Sequence, residues 1–128
     1  MHARLRSPVV MLLLAATSCA HGTRGGDVER LPAGALPVRV NVTNRFNLSM
    51  EVYVIGGGMT QRLGLVSSGL DRTFVIPQIL IGNGPIELSA QPSGSGPVVR
   101  SGRLLISAGD VVDFLITSSL FDTRATIR

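Results

Sequence analysis

Residues 37–55 read PVRVNVTNRFNLSMEVYVI. Val38, Val40 and Val42 alternate with Arg39, Asn41 and Thr43, so one side of the segment is apolar and the other polar. A period of two is the pattern of a half-buried β-strand, because successive side chains point to opposite faces. Asn44, Arg45 and Asn47 then break the pattern as a turn. Alternation resumes from Leu48 to Ile55, placing Leu48, Met50, Val52 and Val54 on one face and Glu51, Tyr53 and Ile55 on the other. Gly56-Gly57-Gly58 follows as a hairpin signal, since glycine accepts the positive φ of tight turns.

The same rhythm continues to the end of the chain. Arg62–Ser67 forms a strand with Leu63 and Leu65 inward, and Arg72–Ile76 another with Phe74 and Ile76 inward. Pro77 stops the latter, because proline cannot donate to a ladder. Ile86, Leu88 and Ala90 alternate with Glu87 and Ser89. Val98–Ser107 is a strand with a bulge at Gly102. Ala108-Gly109-Asp110 turns the chain, with Asp110 capping the turn through its side chain. Val112, Phe114 and Ile116 line one face of the most apolar run, and a last strand spans 123–128 with Ala125 and Ile127 inward. No stretch has a 3.6-residue period. About seven or eight short strands between Gly, Pro and Asn turns predict an all-β domain, a small antiparallel β-sandwich of immunoglobulin-like or similar kind, over residues 37–128.

The 128 residues suit one domain. The N-terminus is of another character. Arg4 and Arg6 precede an uncharged run from Pro8 to Ala16, and small residues then lead to Cys19. That is the layout of a secretory signal peptide, and its apolar run is about half the length a spanning helix needs. Ala16-Thr17-Ser18-Cys19 resembles the lipobox of bacterial lipoproteins, with Ala16 where leucine is commonest. The resemblance covers residues 1–19 and uses the single cysteine of the chain. It implies cleavage between Ser18 and Cys19, lipidation of Cys19, and attachment to a membrane through that anchor. Ala20, which is not aspartate, points within the family to the outer membrane of the cell envelope. Residues 1–18 are thus expected to be a signal peptide, and residues 19–36 the lipidated cysteine and a flexible Gly/Pro-containing tether. The remainder resembles small β-sandwich lipoproteins of GC-rich bacteria, a resemblance that implies no activity.

Composition narrows the chemistry. All 12 basic residues are arginine, against 8 acidic ones. Loss of Arg4 and Arg6 with the signal peptide leaves a weakly basic chain, which argues against a nucleic-acid partner. One cysteine excludes a disulfide, and lysine chemistry has no residue to use. The only histidine beyond the signal peptide is His21, and no G-x-S-x-G elbow occurs, so no hydrolase triad is expected. Asp110 and Asp113 fall on opposite faces of a strand. The segment Ser107–Phe114 resembles the Gly-Asp turn and strand of bacterial β-sandwich modules such as cupredoxins, but the domain lacks the His and Cys ligands of a copper site. No catalytic residue, metal or cofactor is therefore expected.

A non-enzymatic envelope lipoprotein follows as the expectation, its sandwich acting as a protein-binding or structural module. An envelope protein, or a second copy, would pair with an exposed edge strand. The alternative is a carbohydrate- or ligand-binding module. Sugar faces stack on aromatics, and without tryptophan the candidate platforms are Phe46 and Tyr53, followed by Phe121. Arg62, Arg72, Arg100 and Arg103 lie near strand ends and would cluster if their strands were neighbours.

Overall fold

A computed structural model of the protein describes residues 36–128. The expected signal peptide, Ser18, Cys19 and the expected tether up to residue 35 lie outside the described residues. Eight strands follow in order: β1 (Arg39–Asn44), β2 (Met50–Gly56), β3 (Met59–Val66), β4 (Asp71–Val75), β5 (Ile86–Pro92), β6 (Val99–Leu104), β7 (Val111–Ile116) and β8 (Arg124–Ile127). They form two four-stranded sheets, β4-β1-β7-β8 and β3-β2-β5-β6. β3 lies beside β4, and β6 beside β8, across the two layers. The all-β sandwich anticipated from alternation is the observed fold.

Its pairing has one feature that alternation did not show. β1 and β7 run parallel, Arg39 opposite Val111 through Asn44 opposite Ile116, while every other pair is antiparallel. Parallel neighbours need a long crossover, and here that crossover is the rest of the chain. The chain changes sheet at every connection except the hairpins β2–β3, β5–β6 and β7–β8. β1 and β2 consequently lie in opposite sheets, unlike the first two strands of an immunoglobulin constant domain.

The alternating residues meet between the layers. Val38, Val40 and Val42 of the first segment, Met50, Val52 and Val54 of β2, Ile86, Leu88 and Ala90 of β5, and Val112, Phe114 and Ile116 of β7 are all essentially inaccessible to solvent. Side chains of this kind each contribute roughly 1.5–3 kcal/mol on burial. The four central strands therefore hold the domain, and the edge strands are less well covered. Ile127 on the terminal β8 is 37% exposed, where the sequence pattern put it inward.

Asn44 ties the layers together at one end. It is the last residue of β1 and fully buried, not part of an exposed turn. Its Nδ2 donates to the Val66 carbonyl in the other sheet (3.0 Å) and to the Leu48 carbonyl (2.9 Å), and its Oδ1 accepts from the Phe46 N–H (2.9 Å). The clamp holds residues 45–49 as a loop. Leu48 is accordingly 49% exposed and β2 begins only at Met50.

The seam between β3 and β4 explains a second departure. The interior of β3 is Gly64 and Val66, whereas Leu63 and Leu65 lie half-buried. A bulge places Leu63 outside the ladder, since Val52 faces Gly64 and Tyr53 faces Arg62. The ring of Phe74 then packs on the bare backbone of Gly64. A Cβ at this glycine would stand 2.6 Å from the Phe74 ring. Arg72 covers the ring at 5.0 Å and donates to the Leu65 carbonyl at 2.8 Å, closing that part of the β3 edge. Alternation misassigned the face because the bulge shifts the phase of the strand by one residue.

Two expected turn devices are present. Gly57 and Gly58 both have positive φ (56° and 76°), the type I′ conformation of a two-residue hairpin. At Gly102 (φ 79°) the β5–β6 register slips, and Ser101 fills the gap with its Oγ, which accepts from the Leu88 N–H at 2.9 Å. Asp110 accepts from the Ser107 N–H (2.8 Å), and Asp113 lies on the outer side of β7, bound by Arg128 (2.6 Å) and Asn41 (3.0 Å). Arg128 first, and Asn41 second, hold the Asp113 carboxyl below its ordinary range. A 3-10 turn at Gln78–Leu80, which alternation did not reveal, buries Leu80 under the β4–β5 connection.

Two substitutions test these contacts by urea denaturation. Asn44→Ala leaves the Val66 and Leu48 carbonyls and the Phe46 N–H without their partner, and is expected to cost about 2–4 kcal/mol. Gly64→Ala drives a methyl into the Phe74 ring, and is expected to cost about 1–3 kcal/mol.

Candidate functional site

The outer face of the β3-β2-β5-β6 sheet carries a surface groove. Its outward residues are polar except for Ile55, because the opposite face supplies the core: Glu51, Tyr53 and Ile55 on β2, and Glu87, Ser89 and Gln91 on β5. Two adjoining hollows run along this face. One, of ≈ 440 Å³, lies between the Gly56–Gly58 hairpin, Pro85, Glu87 and Arg103. The other, of ≈ 360 Å³, lies between Tyr53, Thr60, Ser89, Gln91 and Val98, and the two share Ile55 and Arg100.

A polar chain crosses the groove. Arg62 pairs with Glu51 at 3.5 Å, the Tyr53 hydroxyl donates to Glu51 at 2.9 Å, and Gln91 Nε2 donates to the Tyr53 hydroxyl at 3.4 Å. Arg100 pairs with Glu87 at 2.7 Å, whereas Arg103 has no ion-pair partner among the described residues. The register across the Gly102 bulge sets Arg103 opposite Glu87 and Arg100 opposite Ser89. The bulge thereby brings both arginines to one side of the groove, where Arg100 alone pairs with the Glu87 carboxylate. Ser89 is buried at the floor despite its outward position.

The Glu51 carboxylate governs the phenol. Ionising Tyr53 would destroy its donated hydrogen bond and set two anions side by side, so the pKa is raised above the usual phenol value, with partial burial adding to the effect. Tyr53 remains a neutral donor. The groove thus offers guanidinium, amide and hydroxyl donors around one aromatic ring. Residues 36–128 contain no histidine to serve as a base. No group of three metal-ligating side chains occurs among the described residues. No helix among them is long and apolar enough to cross a membrane.

The aromatic candidates are dispersed. Tyr53 stands in the groove. Phe46 lies in the β1–β2 loop with its ring packed against the core, its N–H held by Asn44 and its carbonyl accepting from Ser68 Oγ at 2.6 Å. It does not join Tyr53 in one platform. Phe121 occupies the β7–β8 loop and is 95% exposed. The arginines divide similarly. Arg62, Arg100 and Arg103 belong to strands of the grooved sheet, and Arg72 belongs to β4 of the other. Gln91 and Ser89 had no distinguishing signal in the sequence, because their pairing with Tyr53 depends on the β2–β5 register.

No protein-family model and no curated protein matches the chain. Among solved structures the chain is similar to the NMR structure of a protein from Eubacterium rectale, at 13% identity and a TM-score of 0.47. That alignment covers 77% of this chain and 94% of the other.

Tyr53 is the sole tyrosine and the chain has no tryptophan, so its ionisation can be read directly by ultraviolet difference absorbance. The midpoint is expected above that of a free phenol. Glu51→Gln is expected to lower it, because the carboxylate is the leading cause of the shift.

Proposed function

We propose that this protein is a non-enzymatic lipoprotein of the cell envelope, lipidated on Cys19 and held at the outer membrane, whose β-sandwich is a protein-binding module. The anchor reading is supported by the arrangement of residues 1–20. The binding reading is carried by the edge of β3. β3 is the longest strand, lies at the edge of its sheet, and exposes Met59, Thr60, Gln61 and Arg62 in succession. Its far half is closed by Arg72, and the edge on β6 is bulged and carries two arginines, devices that discourage strand addition. The near half of β3 pairs in regular register from Met59 to Arg62 and leaves all four of those residues exposed. In a two-residue hairpin the residues flanking the turn, Gly56 and Met59, exchange both ladder bonds, so Thr60 turns its N–H and carbonyl outward. An extended segment added there would lay alternate side chains on the face that carries Tyr53 and the groove.

Crosslinking in cells, followed by mass spectrometry of the captured proteins, tests this reading on the wild type, Cys19→Ala and Thr60→Pro. Proline at Thr60 removes an outward donor and spares the β2 ladder. The expected result is one abundant protein partner, with capture reduced at least tenfold in both variants. Capture of no protein, or equal capture by Thr60→Pro, would count against edge pairing. The wild-type protein recovered from cells is expected to begin at Cys19 and carry the mass of its acyl chains.

A second reading, a carbohydrate-binding module, is favoured by Tyr53 standing among Gln91, Ser89 and two arginines. Isothermal titration with peptidoglycan fragments and outer-membrane polysaccharide tests it. Heat of binding that disappears in Tyr53→Ala and persists in Phe46→Ala would support the groove as a sugar site.

A further inference from the structure

We infer that copies of this chain associate head to tail, the Phe121–Asp122 tip of one sandwich seating in the Ile55–Pro85–Arg103 hollow of the next. The inference rests on the sandwich being a binding module and is independent of the Cys19 anchor.

The knob is a constrained loop. Leu120 has φ 66°, a conformation that bulky side chains rarely adopt. Its side chain is packed against the core, and its backbone is bonded to Thr117 on one side and Thr123 on the other. With Leu120 drawn inward, Phe121 projects outward and is the most exposed of the large hydrophobic residues described. Asp122, next to it, is exposed and has no ion-pair partner among the described residues.

The socket has the complementary character. Ile55 and Pro85 give the ≈ 440 Å³ hollow its apolar walls, and the hairpin that borders it is all glycine, with no side chain to fill it. Arg100 at its margin is occupied by Glu87, but Arg103 is not paired. A guanidinium in that position can lie over an inserted ring and accept the neighbouring carboxylate as its counter-ion. An apolar ring beside a free anion thus matches an apolar hollow beside a free cation.

The two features lie at opposite ends. β7 runs parallel to β1, so its end at Ile116 lies with Asn44. β2 starts from that end and reaches Gly56 at the other. A contact between unlike ends is heterologous and propagates as an open chain of copies, not a closed dimer.

Sedimentation velocity of the full chain in detergent, over a concentration series reaching the millimolar range, tests the inference. The wild type is expected to show an open-ended series growing with concentration. Phe121→Ser lacks the knob and Arg103→Glu disables the socket, so each alone is expected to be monomeric, with association weakened at least tenfold. Mixed together, they keep one working knob and one working socket, and are expected to form a dimer and nothing larger. Asp122→Arg should also be monomeric, and Asp122→Arg combined with Arg103→Asp should associate again. A monomeric wild type throughout, growth that persists in Phe121→Ser, or a mixture that stays monomeric would overturn the inference. The first of these would leave Phe121 for a different protein or a lipid surface.

Discussion

A single buried amide couples the two layers of this protein. Asn44 belongs to β1, yet it donates to a carbonyl of β3 in the opposite sheet, to Leu48 in the loop that carries the chain across, and accepts from Phe46 in the same loop. A polar side chain removed from water is tolerated only when its hydrogen-bonding groups are satisfied, and this one meets three partners. The valines of β1 and β2 would be buried by any stacking of two apolar faces. The amide specifies which stacking, because its partners coincide only when the end of β1 stands over the end of β3. The β1–β2 loop, the start of β2, and hence the register of the grooved sheet follow from that position.

The outer face of that sheet is shaped by two irregularities in the ladder. The bulge at Leu63 changes the phase of β3, sets Gly64 beneath Phe74, and leaves Arg62 beside Glu51. The bulge at Gly102 changes the phase of β6 and brings Arg100 and Arg103 to the same border of the groove. Regular strands would spread these charges evenly. The irregular ones concentrate hydrogen-bond donors around Tyr53 and leave one guanidinium without a counter-ion. The exposed half of β3 adjoins the same surface.

The structure also separates what composition would group. Four phenylalanines are too few to reveal a site by number, and they serve different ends. Phe114 fills the core, Phe74 seals the β3–β4 seam, Phe46 lies packed behind the Asn44 clamp, and Phe121 stands in water. Asn44 and Leu120, each one or two residues away, decide which ring is held and which is presented.

The sequence by itself determined the class of the fold, the inward set of most strands, the glycine hairpin and the bulge at Gly102. Each follows from local rules: a period of two, a positive φ, a proline that cannot donate. The resemblance of residues 1–20 to a lipoprotein signal is equally local. Tertiary structure decided the parallel pairing of β1 and β7, the inward face of β3, the burial of Asn44 and the company kept by Tyr53. These depend on which distant strands become neighbours and in what register. One slipped residue exchanges the two faces of a strand, and the slip at Leu63 sets Gly64 against the Phe74 ring of the other sheet. The alternation of a single strand contains no information about that partner.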